Sequence, residues 1–212
     1  LIIVVDNNKF QSDRTVKVTS DLGNIENKFK SFGIKTISCD GNSVEEFSKA
    51  FEDIESSNKP GAIIANTVKG FGVSFMHGDI LKEGEFYKFH SGSISLEDFD
   101  KAIFELNNKI SESIRESKVE FDLKLSFSES PDIVKNNNIQ QSLLSSYSNS
   151  IINEAKKNKK IIALDGDLIL DTGLIEFEKK YPERFIECGI AEQDMVSQAG
   201  TLASEGFVPI VH

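Results

Sequence analysis

Three short stretches carry residue types that could do chemistry. Asp6-Asn7-Asn8-Lys9-Phe10 follows the apolar run Leu1–Val5. Carboxamide and backbone carbonyl oxygens are hard donors, suited to Mg2+ or Ca2+. Asp and Asn also build ordinary turns by bonding their own backbone, and the five residues alone do not separate the two readings. Phe89-His90-Ser91-Gly92 holds one of only three histidines, the others being His77 and His212. An imidazole titrating near neutrality suits proton transfer, although a lone loop histidine is also a common solvent-facing residue. Gly189-Ile190-Ala191-Glu192-Gln193-Asp194-Met195 sets a glutamate between apolar neighbours at the start of a helix. Partial burial would raise its carboxyl pKa and the helix dipole would oppose that; plain charge complementarity at a helix N-terminus explains Glu192 and Asp194 equally well.

The elements that must position these residues alternate between strand and helix. Leu1–Val5 reads as a buried strand whose C-terminal end carries Asp6, the end at which open α/β sheets bind ligands. A helical pattern around Leu22–Phe32, closed by Gly33, leads to a strand at Ile34–Ser38. Ser43-Val44-Glu45-Glu46 has capping-box spacing and opens a helix with Phe47, Ala50, Phe51 and Ile54 on one face. Lys59-Pro60-Gly61 ends it before a third strand, Ala62–Ala65. This rhythm argues for a parallel sheet with helices on its faces. Lys69–Ser93 has no period and reads as a long functional loop, followed by a helix from Ser95 to about Ser113.

Residues 116–140 are polar and read as a linker, with a short extended piece at Phe121–Phe127. A helix at about 141–158 then leads into a second α/β unit. It has a strand at Ile161–Leu164, a helix at Leu174–Lys180, a strand at Arg184–Glu187, a helix opened by Gly189, and a closing strand-like run at Phe207–Val211. The expected organisation is 1–115, a linker over 116–140, and 141–212. The chain begins with Leu inside an apolar run and ends in another, which reads as a segment cut from a longer polypeptide.

Composition narrows the classes. Hydrophobic residues make up 39% and charged residues 27%, enough for a packed core. A net charge of −10 argues against gripping nucleic acid phosphates. No apolar run is long enough for a transmembrane helix, so no membrane partner is expected. Two cysteines, Cys39 and Cys188, exclude a disulfide scaffold or a multi-cysteine zinc module and fit a reducing cytoplasm.

Taken together, the motifs resemble the transketolase family. Asp6–Phe10 resembles the second half of its thiamine diphosphate motif, Ile64–Met76 a segment further along the same domain, and Phe89–Gly92 its active-site histidine loop. Ala163–Leu168 resembles the first strand of the pyrimidine-binding domain, and Tyr181–Met195 the stretch with the catalytic glutamate. The resemblance implies the later part of a diphosphate-binding domain joined to the first part of a pyrimidine-binding domain. It implies thiamine diphosphate with a divalent ion (Mg2+, or Ca2+ or Mn2+), the ion held by the Asn8 side-chain oxygen and the Phe10 carbonyl. Glu192 would bond the aminopyrimidine ring nitrogen and His90 would assist proton transfer at sugar hydroxyls. Asp167 would serve the cofactor site or an interface. The implied activity is two-carbon ketol transfer between sugars or sugar phosphates. The implied partner is a second copy, each centre being shared so that Glu192 and Asn8 of one chain serve different centres, or a complementary chain with the missing domains. The earlier half of the metal motif lies outside these residues, so the segment alone is expected to be inactive.

One position departs from the pattern: aligning Tyr147 with the aromatic of the helix before Ile161 puts Leu144 where phosphate-handling members carry Arg. That weakens the expectation of a phosphorylated substrate, because Arg is the natural bidentate phosphate ligand. The alternatives are 1-deoxyxylulose-5-phosphate synthase or another thiamine diphosphate enzyme, and a non-catalytic subunit that keeps the fold.

Overall fold

A computed structural model describes residues 1–91, 93–117 and 143–212; the expected extended piece at Phe121–Phe127 lies outside them. Among the described residues, 1–91 and 144–212 pack as one compact unit, and 93–117 with Leu143 belong to a second. In the first unit the elements run β1 (Ile2–Asp6), α1 (Val16–Thr19), α2 (Ile25–Ser31), β2 (Lys35–Asp40), α3 (Val44–Glu55) and β3 (Gly61–Asn66). The helix α4 (Leu96–Ser117) belongs to the second unit. It is capped by Ser95, whose Oγ accepts the Asp98 amide at 3.1 Å. Then follow α5 (Leu143–Lys157), β4 (Ile161–Asp165), α6 (Ile169–Thr172), α7 (Ile175–Lys180), β5 (Phe185–Glu187), α8 (Glu192–Ser204) and β6 (Val208–Val211).

The strands form two parallel three-stranded sheets, ordered β1-β3-β2 and β5-β4-β6. Helices cover both faces, the α/β class expected from the alternation. The unbroken apolar runs are the central strands: Gly61–Ala65 and Ile161–Asp165 are buried throughout, as two-sided strands must be. On one face of the first sheet Ala50 and Ile54 of α3 meet Ile63, with Ile2 and Ile37 beside them. Helix and strand approach so closely that a Cβ on Gly61 would stand 2.2 Å from Ile54 Cγ2. On the other face α2 and its lead-in leave a cavity of about 640 Å³, lined in part by Val5, Ile64, Leu22 and Ile25. In the second sheet Ile161 and Ala163 pack under α5, α6 and α7 around fully buried Phe177, while Ile162 and Leu164 meet Met195 and Ala199 of α8.

Two local details differ from the sequence reading. Ser43 caps α3 as expected, its Oγ accepting the Glu46 amide at 3.2 Å, but the Glu46 carboxylate accepts from the Asp40 amide at 2.9 Å. It thereby ties the helix to the end of β2 rather than closing a box on Ser43. The last long helix starts at Glu192 rather than at Gly189, because Gly189 is spent on a turn at φ 66°. The described residues of 69–93 form a loop, as expected, tightened by two single 3₁₀ turns at Ser74–Met76 and Gly78–Ile80.

Candidate active site

Parallel register brings Asp6 opposite Ala65 and Asn66 opposite Asp40, so polar groups gather at the C-terminal edge of the first sheet. Asn7 is fixed there by its amide to the Ala65 carbonyl (2.8 Å) and its Nδ2 to Asn66 Oδ1 (2.8 Å). The Thr67 hydroxyl donates to the Asp6 carboxylate. Asn8 Nδ2 donates to the other Asp6 oxygen at 3.0 Å, and Asn8 Oδ1 accepts the Phe10 amide at 2.9 Å. The Asx-turn is therefore present, with Lys9 in the left-handed region at φ 71°. It does not displace the metal reading, since a carboxamide oxygen has two lone pairs and the turn uses one. Among the described residues no three His, Cys, Asp or Glu side chains are grouped to hold a metal. Asn8 Oδ1 and the Phe10 carbonyl are hard oxygen donors that could contribute part of a ligand set for a hard cation.

Lys69 lies inside this loop. Its Nζ donates to the carbonyls of Gln11 (2.6 Å) and Ser12 (2.8 Å), stands 3.4 Å from His90 Nδ1, and sits 4.6 Å from the Tyr87 ring centre. Burial lowers its pKa, against the pull of the Asp167, Asp13 and Asp6 carboxylates. Tyr87 is buried and its amide donates to the Asp13 carbonyl at 2.8 Å. His90 itself is exposed, and its neighbour Ser91 donates to Asp171 Oδ2 at 2.8 Å.

Asp167 is fully buried, in the left-handed region at φ 60°. Its carboxylate accepts the backbone amides of Ser12 (2.5 Å), Asp13 (3.0 Å) and Arg14 (3.0 Å), and its own amide donates to Glu187 Oε1 at 2.9 Å. Asp13 Oδ2 accepts the Leu170 amide at 3.1 Å. Asp165 accepts from the Leu168 amide and the Thr172 hydroxyl. Arg14 is the nearby cation: Nη2 meets Glu178 at 2.6 Å, and the guanidinium lies 4.9 Å from the Phe86 ring centre and 5.9 Å from that of Phe185. Burial pushes the carboxyls of Asp13, Asp165 and Asp167 up, with backbone amides opposing. Burial pushes Glu187 furthest, to about 7.

Gln11 Oε1 accepts the Ile190 amide at 2.8 Å, which joins the metal-loop candidate to the turn just before Glu192. In the structure these two segments of one chain therefore adjoin. Glu192 is the first residue of α8 and is exposed, contrary to the expected partial burial. Met195 and Ala199 hold the helix on β4, which leaves its polar first turn facing outward. Asn8, Phe10, His90 and Asp167 are linked through Lys69 and the amides of residues 12–14. Sequence reasoning passed over Gln11, Asp13, Arg14, Lys69 and Glu187, all of which hold the site segments together.

Residues 1–125 match the family model described as transketolase, thiamine diphosphate binding domain, and residues 141–212 match transketolase, pyrimidine binding domain. The chain belongs to the transketolase family. It is 29% identical to mouse transketolase-like protein 2 over 97% of this chain and 33% of that protein. It is 30% identical to human transketolase over 94% of this chain and 32% of that protein. A 1-deoxy-D-xylulose-5-phosphate synthase from Clostridium acetobutylicum is 27% identical over 86% of this chain and 23% of that enzyme. Among solved structures, transketolase from Pichia stipitis in complex with sedoheptulose-7-phosphate covers all of this chain and 38% of its own, at 14% identity and a TM-score of 0.39. The chain thus spans about a third of the length of the curated transketolases and transketolase-like proteins it matches. Among the described residues no helix is long and apolar enough to cross a membrane.

Proposed function

We propose that this chain is the junction of a thiamine diphosphate-dependent enzyme that moves a two-carbon ketol unit from a ketose to an aldose. Residues 1–115 would be the later part of the diphosphate-binding domain and 141–212 the first part of the pyrimidine-binding domain. The observation that carries the reading is the Asn8–Phe10 loop, an Asx-turn that presents polar oxygens at the C-terminal end of β1. Bound thiamine diphosphate supplies an electron sink for the carbanion left by carbon–carbon cleavage. The chain supplies the rest. Asn8 Oδ1 and the Phe10 carbonyl offer neutral oxygens to Mg2+, or to Ca2+ or Mn2+. Glu192 holds a proton at the pyrimidine ring nitrogen. His90, exposed on its loop, receives or returns a proton at a sugar hydroxyl. Asp167 holds the amides of residues 12–14, which fixes the cofactor loop from behind. A homodimer and a cytoplasmic location accompany this reading.

The similarity to a 1-deoxy-D-xylulose-5-phosphate synthase makes a pyruvate-type donor the second reading. A donor assay on the full-length protein with thiamine diphosphate and Mg2+ tests both. Turnover of hydroxypyruvate with an aldose acceptor, and none of pyruvate, is expected. Turnover of pyruvate alone would favour the synthase. Cofactor binding without turnover of either donor would favour a non-catalytic subunit.

A further inference from the structure

Asp171 is an exposed carboxylate on α6, the short helix that leaves the C-terminal end of β4. That edge of a parallel sheet is where ligands bind, and α8 opens with Glu192 at the same edge, after β5. Two contacts place Asp171. Its Oδ2 accepts the Ser91 hydroxyl at 2.8 Å, one residue from His90. Two residues further on, Gly173 turns at φ 74° so close to α5 that an added Cβ would stand 3.2 Å from the Leu144 carbonyl oxygen. The charge around this edge is negative. Residues 141–155 and 161–178 contain no Lys or Arg. Burial first, then the charges of Asp167 and Asp171, push the Asp13 carboxyl up against the Leu170 amide. Of the cations on neighbouring loops, Arg14 pairs with Glu178, and Lys69 donates to the carbonyls of Gln11 and Ser12 beside the metal-loop candidate.

We propose that Asp171 is a specificity-determining residue that turns phosphorylated acceptors away and accepts a hydroxyl of an uncharged sugar instead. The inference rests on the ketol-transfer reading, with His90 acting at sugar hydroxyls. A phosphate monoester carries about −1.5 to −2 charges at pH 7 and is held by cations, above all by the arginine fork. Beside Asp171 it meets a like charge, and the adjacent first turn of α5 offers it Leu144, 46% exposed. A hydroxyl meets the opposite situation. A carboxylate has about four acceptor sites, and the Ser91 hydroxyl takes one of them on Asp171. The remaining capacity suits the hydroxyl donors of a free sugar.

The test uses the full-length protein with thiamine diphosphate and Mg2+, hydroxypyruvate as donor, and D-ribose or D-ribose 5-phosphate as acceptor. The parent should show a kcat/KM about tenfold higher for ribose, the discrimination expected of one like-charge contact. Its KM for ribose 5-phosphate should fall as salt is raised from about 0.02 to 0.2 M, because screening weakens the repulsion. Asp171→Asn keeps an oxygen for the Ser91 hydroxyl and removes the charge. It should raise kcat/KM for ribose 5-phosphate about tenfold, lower that for ribose about threefold, and abolish the salt effect. A merely structural residue would move both acceptors the same way. A parent that prefers ribose 5-phosphate overturns the proposal, and so does a change of the same sign for both acceptors in Asp171→Asn. If Asp171→Asn does not fold, the parent's preference and its salt profile decide. If neither acceptor is turned over, calorimetric binding of the two sugars to the cofactor-loaded proteins reads the same discrimination. Tighter ribose binding in the parent, lost in Asp171→Asn, would uphold Asp171 while the ketol-transfer reading falls; no difference between the sugars would overturn the role of Asp171 as well.

Discussion

Arg14 Nε faces Glu187 Oε2 at 3.5 Å, both side chains mostly buried at 15% and 11% exposure, and among the described residues neither atom has a hydrogen-bond partner. Arg14 lies on the loop after β1 and Glu187 ends β5, near the buried carboxylates Asp165 and Asp167. Charge balance here depends on few groups, and its pH dependence follows from burial.

Glu187 has its folded pKa pushed from 4.5 up to about 7. A carboxyl raised on folding binds more protons folded than unfolded, so its contribution to stability falls as pH rises from about 4.5 through 7 and stays low above that. Asp13, Asp165 and Asp167 shift in the same direction and add to the trend. Glu187→Gln should flatten the dependence by about 1–3 kcal/mol between pH 5 and pH 8. Melting temperatures of parent and variant at both pH values check this; identical slopes would exclude a titrating Glu187.

Asp167 restrains the amides of Ser12, Asp13 and Arg14. Asp167→Ala leaves three buried or half-buried donors without their acceptor and should cost about 2–3 kcal/mol. Hydrogen exchange at those three amides should quicken at least about tenfold relative to amides of α3, which share no contact with Asp167. Uniform exchange across both regions would show that Asp167 acts globally rather than on this loop.

Two glycines in the left-handed region separate strain from crowding. At Gly70, φ 78°, an added Cβ would stand 2.0 Å from the Met76 carbonyl oxygen; at Gly84, φ 86°, it would meet nothing within 4 Å. Gly84→Ala should cost about 1 kcal/mol for the backbone alone, and Gly70→Ala about 2–4 kcal/mol. Denaturant midpoints of the two variants measure the difference, and equal losses would contradict the packing around Lys69 and Tyr87.

Leu144 is partly exposed at 46% in the first turn of α5, so an arginine fits there without disturbing the core. Leu144→Arg should lower KM for phosphorylated acceptors about tenfold and leave free sugars unchanged, the gain of one charge-assisted phosphate contact. Equal changes for both acceptor types would remove position 144 from substrate recognition.

Much of the scaffold was legible because it is local. The apolar run at Ala62–Ala65, the cap at Ser43 and the strand at Ile161–Leu164 each state their structure within a few residues, and the sheets follow from their order. The residues that unite the site were not legible in that way. Lys69 and Arg14 are of types that normally face solvent, and only loops brought together by the sheets bury them. Lys69 meets carbonyls 58 and 57 positions away, and Arg14 meets Glu178 across 164. Glu187 follows the strand pattern, and its raised pKa comes first from burial in the assembled fold, with Asp165 and Asp167 adding to it and the Gly189 amide opposing it. The resemblance nominated Asn8, His90 and Glu192 as candidates but said nothing of what holds them.

The most direct measurement is two-carbon transfer by Glu192→Gln in the full-length protein, with cofactor occupancy read in the same samples. We expect turnover to fall by about 100-fold or more, as for loss of a proton-holding group, while thiamine diphosphate and Mg2+ stay bound. Undiminished transfer with the cofactor in place would contradict the assignment of Glu192 and the mechanism built on it.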